Sequence, residues 1–221
     1  MSLIVKDTSN GTDFAPIPAG MHHAVCYAVI DIGTQPQTGA FPSRRKVMIN
    51  WEIPHEVIAV EVDGKKKNLP RATSERYTLS LANKGNLRPM LESWRGRPFT
   101  EVELAGFDLK NLLGVNCFLN IVHAKGKGDK ANRTYANVAA VNPLAKGMAK
   151  IPAVNPLVLF SMDDFSGPVT VPDSIPEWIA TLIKNSDEYK AKANINPNHP
   201  TEAQMANIDA DCPDDGENVP F

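Results

Sequence analysis

Five histidines, three cysteines and the Asp163-Asp164 pair are the residues of this 221-residue chain best suited to bond-making chemistry. His22, His23, His55, His123 and His199 fall in no metal-ligand or triad spacing. In a strand, the adjacent rings of His22 and His23 would point to opposite faces and could not chelate together. Cys26, Cys117 and Cys212 are scattered and odd in number, which argues for free thiols in a reducing compartment and against a disulfide frame or zinc site. The stretch Gly126–Lys130 lacks the glycine spacing and the Lys-Ser/Thr ending of a phosphate-binding loop. Asp163-Asp164 is read as an acidic loop. No nucleophile elbow, kinase or zincin pattern is present, so the expectation is a binding protein, not an enzyme, with no cofactor and no metal.

Cations and flat rings carry the remaining chemistry. Arg44, Arg45 and Lys46 form one basic cluster, and Lys65, Lys66 and Lys67 a second. Arg71 with Arg76, Arg95 with Arg97, and Lys125, Lys127, Lys130 and Arg133 complete the set. Between positions 44 and 133 there are 17 basic and 10 acidic residues. Residues 199–221 hold six acids and no Lys or Arg, which leaves 23 basic against 19 acidic residues in 1–198. A basic body with an acidic tail fits binding of a polyanion. Single-stranded nucleic acid needs cations along its phosphates and rings on which bases stack. Phe118, Tyr135 and Tyr77 are the stacking candidates, with Tyr27 a fourth, while Trp51 and Trp94 share faces with apolar residues and read as core.

These side chains need a scaffold, and periodicity supplies one. Residues 1–20 read as an extended arm. Residues 21–32 and 44–53 read as strands, the second alternating Val47, Ile49, Trp51 and Ile53 against polar neighbours. Asp63-Gly64 signals a hairpin turn, and 72–81 a third strand. Leu87, Met90, Leu91 and Trp94 then fall on one helical face, with Asn86 as N-cap. A second helical stretch is expected over 101–114, closed by Gly114. Strands at 115–124 and 133–141 follow. Three strands, a helix and two strands is the chain order of a five-stranded OB-fold barrel with a helix between strands 3 and 4; a split α+β sandwich gives the same string. The expected class is mainly β, with the barrel over 21–145.

Beyond it, 146–192 reads as a Pro-rich connector followed by one helix from Ser174 to Lys192. Ser174 and Glu177 have capping-box spacing, and Trp178, Ile179, Leu182 and Ile183 form a stripe. Residues 193–221 have too few large apolar residues to offset ordering entropy and read as a disordered acidic tail. No apolar run is long enough to span a bilayer, and no signal peptide is evident, so a cytoplasmic location without membrane contact is expected.

The segments "VMINWEIP", "RYTLSL", "LRPMLESWRGRPFTEVELAGFDLKNLLGVNCFLNIVH" and "TYANVAAV", within roughly 20–145, resemble the single-stranded DNA-binding proteins of tailed bacteriophages. The stretch "DDGENVPF" resembles the C-terminal tip of bacterial and phage single-stranded DNA-binding proteins; Gly216, Asn218 and Val219 dilute its acidic run. The resemblance implies coating of single-stranded DNA during replication, recombination or repair, in the bacterial host cytoplasm. It also implies recruitment of replication or repair proteins through Asp214, Asp215, Glu217, Pro220 and Phe221. Self-association on DNA is left open. An assembly adaptor whose barrel binds protein, or a strand-annealing factor, are the alternatives.

Overall fold

A computed structural model describes residues 15–36, 42–62, 65–128 and 131–193. The chain divides into two compact units, residues up to 30 with 47–160, and 31–46 with the chain from 161 onward. The strands are β1 (Gly20–Gln35), β2 (Arg44–Val62), β3 (Lys65–Thr78), β4 (Asn116–Lys125), β5 (Thr134–Pro143) and β6 (Val158–Phe160). They form one mainly antiparallel sheet in the order β3-β2-β1-β4-β5, with β6 joined in parallel to β1. The mainly β expectation therefore stands, and the sheet is open.

In the first unit, alternation does what the sequence demands of it. Val47, Ile49, Trp51 and Ile53 point into one core with Ala24, Cys26, Leu119 and Ile121. The helix α1 (Leu87–Arg95) covers that core with Leu87, Leu91 and Trp94, and the Trp51 and Trp94 rings meet at 5.8 Å. Burial of the two thiols pushes Cys26 up to about 12 and raises Cys117 as well. The two sheet edges are joined through a side chain: the Glu75 carboxylate on β3 accepts a hydrogen bond from the Val138 backbone N–H on β5. A cavity of about 410 Å³ lies between β3, α1 and β5.

Several expected boundaries move. Asn86 holds the N-cap position of α1, but its carboxamide makes no cap bond and instead accepts from the Thr78 N–H. The 101–114 helix is two pieces: α2 (Glu101–Ala105), with a Thr100–Glu103 capping box, and a 3₁₀ turn at Leu109–Leu112 started by the Asp108 side chain. Gly106 lies between them in extended conformation and ends the first. Residues 15–19 are no free arm. Ile17 is buried in the core, its carbonyl accepts from His123 Nε2 at 2.8 Å, and the Pro18 carbonyl accepts from His22 Nε2. The hairpin signal Asp63-Gly64 lies outside the described residues, as do residues 1–14 and the tail from 194.

The second unit is built on a charge pair. Asp31 is 6% exposed and accepts from Arg45 Nη2 at 2.5 Å, Gly33 N at 3.0 Å and Met162 N at 3.3 Å. Arg45 also reaches Asp163 at 2.8 Å. The expected single helix over 174–192 is a correction. Two helices stand there, α3 (Glu177–Lys184) and α4 (Asp187–Ala193). Ser186 breaks them: its hydroxyl donates to the Ile183 carbonyl at 2.6 Å and accepts from the Tyr189 N–H, ending one helix and capping the next. The Ser174–Glu177 capping box does not form, because extended Pro176 is the N-cap. Trp178 is 51% exposed and stands off the stripe, which is Ile179, Ala180 and Ile183.

Candidate nucleic-acid interface

Register fixes which side chains share the face opposite the core. Residues directly paired across antiparallel strands point the same way. Leu119 pairs with Val141 and Ile121 with Val138, all in or against the core. The alternate positions therefore face outward: Phe118, Asn120, Val122 and Ala124 on β4, opposite Asn142, Ala140, Asn137 and Tyr135 on β5. A bulge at Asn120/Ile121 lets Ala139 drop out of the pairing and keeps both sets in phase. On β1, His23 pairs with Phe118 and Met21 with Asn120.

A row of rings results. His23 lies 5.6 Å from Phe118 and 6.5 Å from His55, tilted to both. Tyr135, 39% exposed, stands opposite Ala124 further along the same face. Phe118 and Tyr135 thus both lie on the face opposite the core. His23 and His55 fall in no metal-ligand spacing in the sequence; their place as flat rings beside Phe118 depends on cross-strand pairing that spacing within one strand does not reveal. Tyr77 is a correction. It is 8% exposed inside the core, where burial raises its hydroxyl, so neither ring face is open to a base. Tyr27 is half-buried and hydrogen-bonded with Asn50.

The cations separate into free and committed. Arg95 stacks over Phe99 at 4.2 Å and over Phe107 at 5.3 Å, and it pairs with Glu103. Arg97 grips the same carboxylate through two bonds of 2.9 and 2.8 Å. Arg97 first, then the Thr100 backbone and Arg95, hold the Glu103 carboxyl far below the usual carboxylate range. Arg45 is held by Asp31 and Asp163, chiefly by its hydrogen bonds to Asp31, which raise its pKa. Arg71 donates to the Ala15 carbonyl, and Lys125 to Thr134 Oγ1 at 3.0 Å. These five do structural work.

Lys66, Lys67, Arg76, Lys127 and Arg133 are exposed, and no ion pair holds them among the described residues. Arg44 is exposed and Lys46 half-buried, both in the second unit. The side chain of Lys65, and Lys130, Asp214, Asp215, Glu217, Pro220 and Phe221, lie outside the described residues. Lys146 and Lys150 are exposed cations that the sequence reading did not single out.

One segment crosses part of this outer face. Residues 144–157 follow β5, and two buried polar side chains pin them down. Asn116, 5% exposed, accepts from Ile151 N at 2.8 Å and donates to the Ile151 carbonyl at 3.0 Å. The Glu52 carboxylate, wholly buried, accepts from Val154 N, from Asn155 N at 3.0 Å and from the Asn155 carboxamide. His23 Nε2 donates to the same Asn116 Oδ1 at 2.7 Å, so the ring row begins at one anchor of this strap.

Among the described residues no group of three or more His, Cys, Asp or Glu is placed to hold a metal ion, and no helix is long and apolar enough to cross a membrane. No family model matches the chain, and no curated protein matches it.

Proposed function

We propose that the chain is a non-enzymatic protein that binds single-stranded DNA without sequence preference, coating and protecting it during replication, recombination or repair. The observation that carries this reading is the outer sheet face, where Phe118, His23, His55 and Tyr135 present ring surfaces and the free cations Lys127 and Arg133 stand on the β4–β5 connection leading to Tyr135. Stacking is tolerant of sequence because every base has a flat face, and cations on flexible stems follow any phosphate chain. The strand order supports the finer fold. The order β3-β2-β1-β4-β5, with Glu75 tying β3 to β5, is the order that a five-stranded OB barrel opened between its third and fifth strands would have, and supports that reading. In the same reading the acidic segment with Asp214, Asp215 and Glu217 recruits partner proteins, with Pro220 and Phe221 as the apolar contact.

Titration of the full chain with fluorescein-labelled dT30 tests the proposal. With three to five phosphates neutralised, log affinity should fall against log salt with a slope of about −2 to −3.5. Duplex of the same length should bind much more weakly, because its bases are not open to the rings. Absence of any anisotropy change at low salt would remove the proposal and favour an adaptor that binds protein.

A further inference from the structure

A strand lying on the outer face has two directions, across β2 or along β4 and β5, and the first is closed, because the outward side of β2 is buried and Glu52 there holds residues 154–155. Met48, Asn50 and Glu52 are the outward positions of β2, since their alternates fill the core, yet they are 0%, 3% and 0% exposed. Val25, outward on β1, is likewise buried. Asn155 and Val154 are anchored on Glu52, and Ile151 on Asn116, over this part of the sheet. Beyond Asn116 the face opens progressively: Phe118, Asn120 and His23 are half-buried, Val122 is 42% exposed and Met21 55% exposed.

Resting on the reading above, we infer that the nucleic-acid path runs along β4 and β5 from the strap to the β4–β5 connection, and leaves β2 and the β2–β3 hairpin outside it. Charge is placed to suit this. At one end Lys150 is exposed and adjoins in sequence Ile151, whose anchor Asn116 also bonds His23 of the His55–His23–Phe118 row. At the other end Lys127 and Arg133 flank Tyr135. Between them the outward positions of β4 and β5 carry no Lys, Arg, Asp or Glu, so phosphates meet cations at the ends and bases meet rings. Phe118 and Ala124, the partner of Tyr135, are six residues apart on β4, or about 20 Å at ~3.4 Å per residue. A strand stacked at ~3.4 Å per nucleotide would place about six bases there, and an extended one about four. The site is therefore short, at the lower end of the range for one barrel.

The test uses the full chain, a dT length series from four to sixteen nucleotides, dT30, and dT30 carrying 5-iododeoxyuridine for photo-crosslinking. Affinity should climb up to about six nucleotides and then rise only by the number of overlapping placements. Crosslinks should fall on β4 or β5, at Phe118 or Tyr135. Tyr135→Ala should weaken dT30 binding by about 5- to 100-fold, and Lys150→Gln should lower the salt slope by about 0.7. Both side chains are exposed, and an unchanged thermal melt checks that each variant is folded. Crosslinks confined to Lys65–Thr78 or the end of β2, or full binding by both variants, would overturn the path while leaving DNA binding intact. Failure of the unaltered chain to bind dT30 at low salt would instead overturn the reading on which the path rests.

Discussion

Glu52 and Gly33 show how single residues decide what the local chain can do. Glu52 reads in sequence as one polar position of an alternating strand, pointing to solvent. It is instead wholly buried, with its charge met by N–H donors of one segment a hundred residues further on. Nothing in the spacing of β2 announces that partner, and the same holds for Glu103 and Asp31, which remove Arg95, Arg97 and Arg45 from the free cations. Face parity was legible, because it needs only the strand's own period of two; pairing was not, because it needs the fold. Glu52→Gln would turn an acceptor toward donors with a carboxamide NH₂ and leave at least one N–H unmet. We expect a loss of about 2–3 kcal/mol in urea unfolding, together with faster hydrogen exchange at Val154 and Asn155. Gly33 has φ +67°, and a Cβ there would lie 2.5 Å from Met162 Cε and Ser186 Cβ. Gly33→Ala should cost about 2–4 kcal/mol from the left-handed backbone and the overlap together, read in the same unfolding experiment.

At the scale of elements, strands and α1 were readable because their apolar periods are strong, and the errors cluster where a side chain stops a helix. The stripe through Ile179 and Ile183 continues plausibly to Lys192, but Ser186 closes α3 with its hydroxyl and opens α4. Asn185 and Ser186 followed by Asp187 and Glu188 are the local cue, and the apolar stripe on one side of it and the helix-forming Glu188–Lys192 on the other hide it. α4 is then fixed by Glu188, which accepts from the Thr34 N–H and hydroxyl at 2.6 Å each. Burial pushes this carboxyl upward, but the Thr34 bonds outweigh it and hold it below the ordinary value. A lowered folded pKa means stability that is present above the unfolded value and is lost as pH falls through the folded one. The contribution should thus be complete above about pH 5 and vanish in acid. Glu188→Gln should be less stable than the parent at neutral pH, and the difference should shrink as pH is lowered through the acid range, measured by chemical denaturation at each pH. A difference independent of pH would mean that Thr34 holds α4 by shape alone.

At the scale of the whole molecule, charge is partitioned along the chain more clearly than its near-neutral total suggests. The full chain has a net charge of −2, while residues 1–198 carry 23 basic and 19 acidic side chains. Committed pairs reduce the useful part of that excess further, since Arg45, Arg95 and Arg97 face carboxylates, so the field available to a phosphate chain is modest. On the proposed function, the six acids in 199–221 would act as a local counter-field joined to the same polypeptide. A chain shortened to end at residue 198 should bind dT30 more tightly than the full chain at low ionic strength. Because the effect is Coulombic and acts over a distance, the advantage should fade as the Debye length contracts from about 30 Å at 0.01 M to about 8 Å at 0.15 M salt. Rings stacked on bases do not share that dependence, so Tyr135→Ala should weaken binding by a similar factor at both salt concentrations. Anisotropy titrations of the full chain, the shortened chain and Tyr135→Ala across that range separate the two contributions. Equal affinities of full and shortened chains at low salt would show that the acidic segment does not contend for the DNA face, and would leave partner binding as its remaining proposed role.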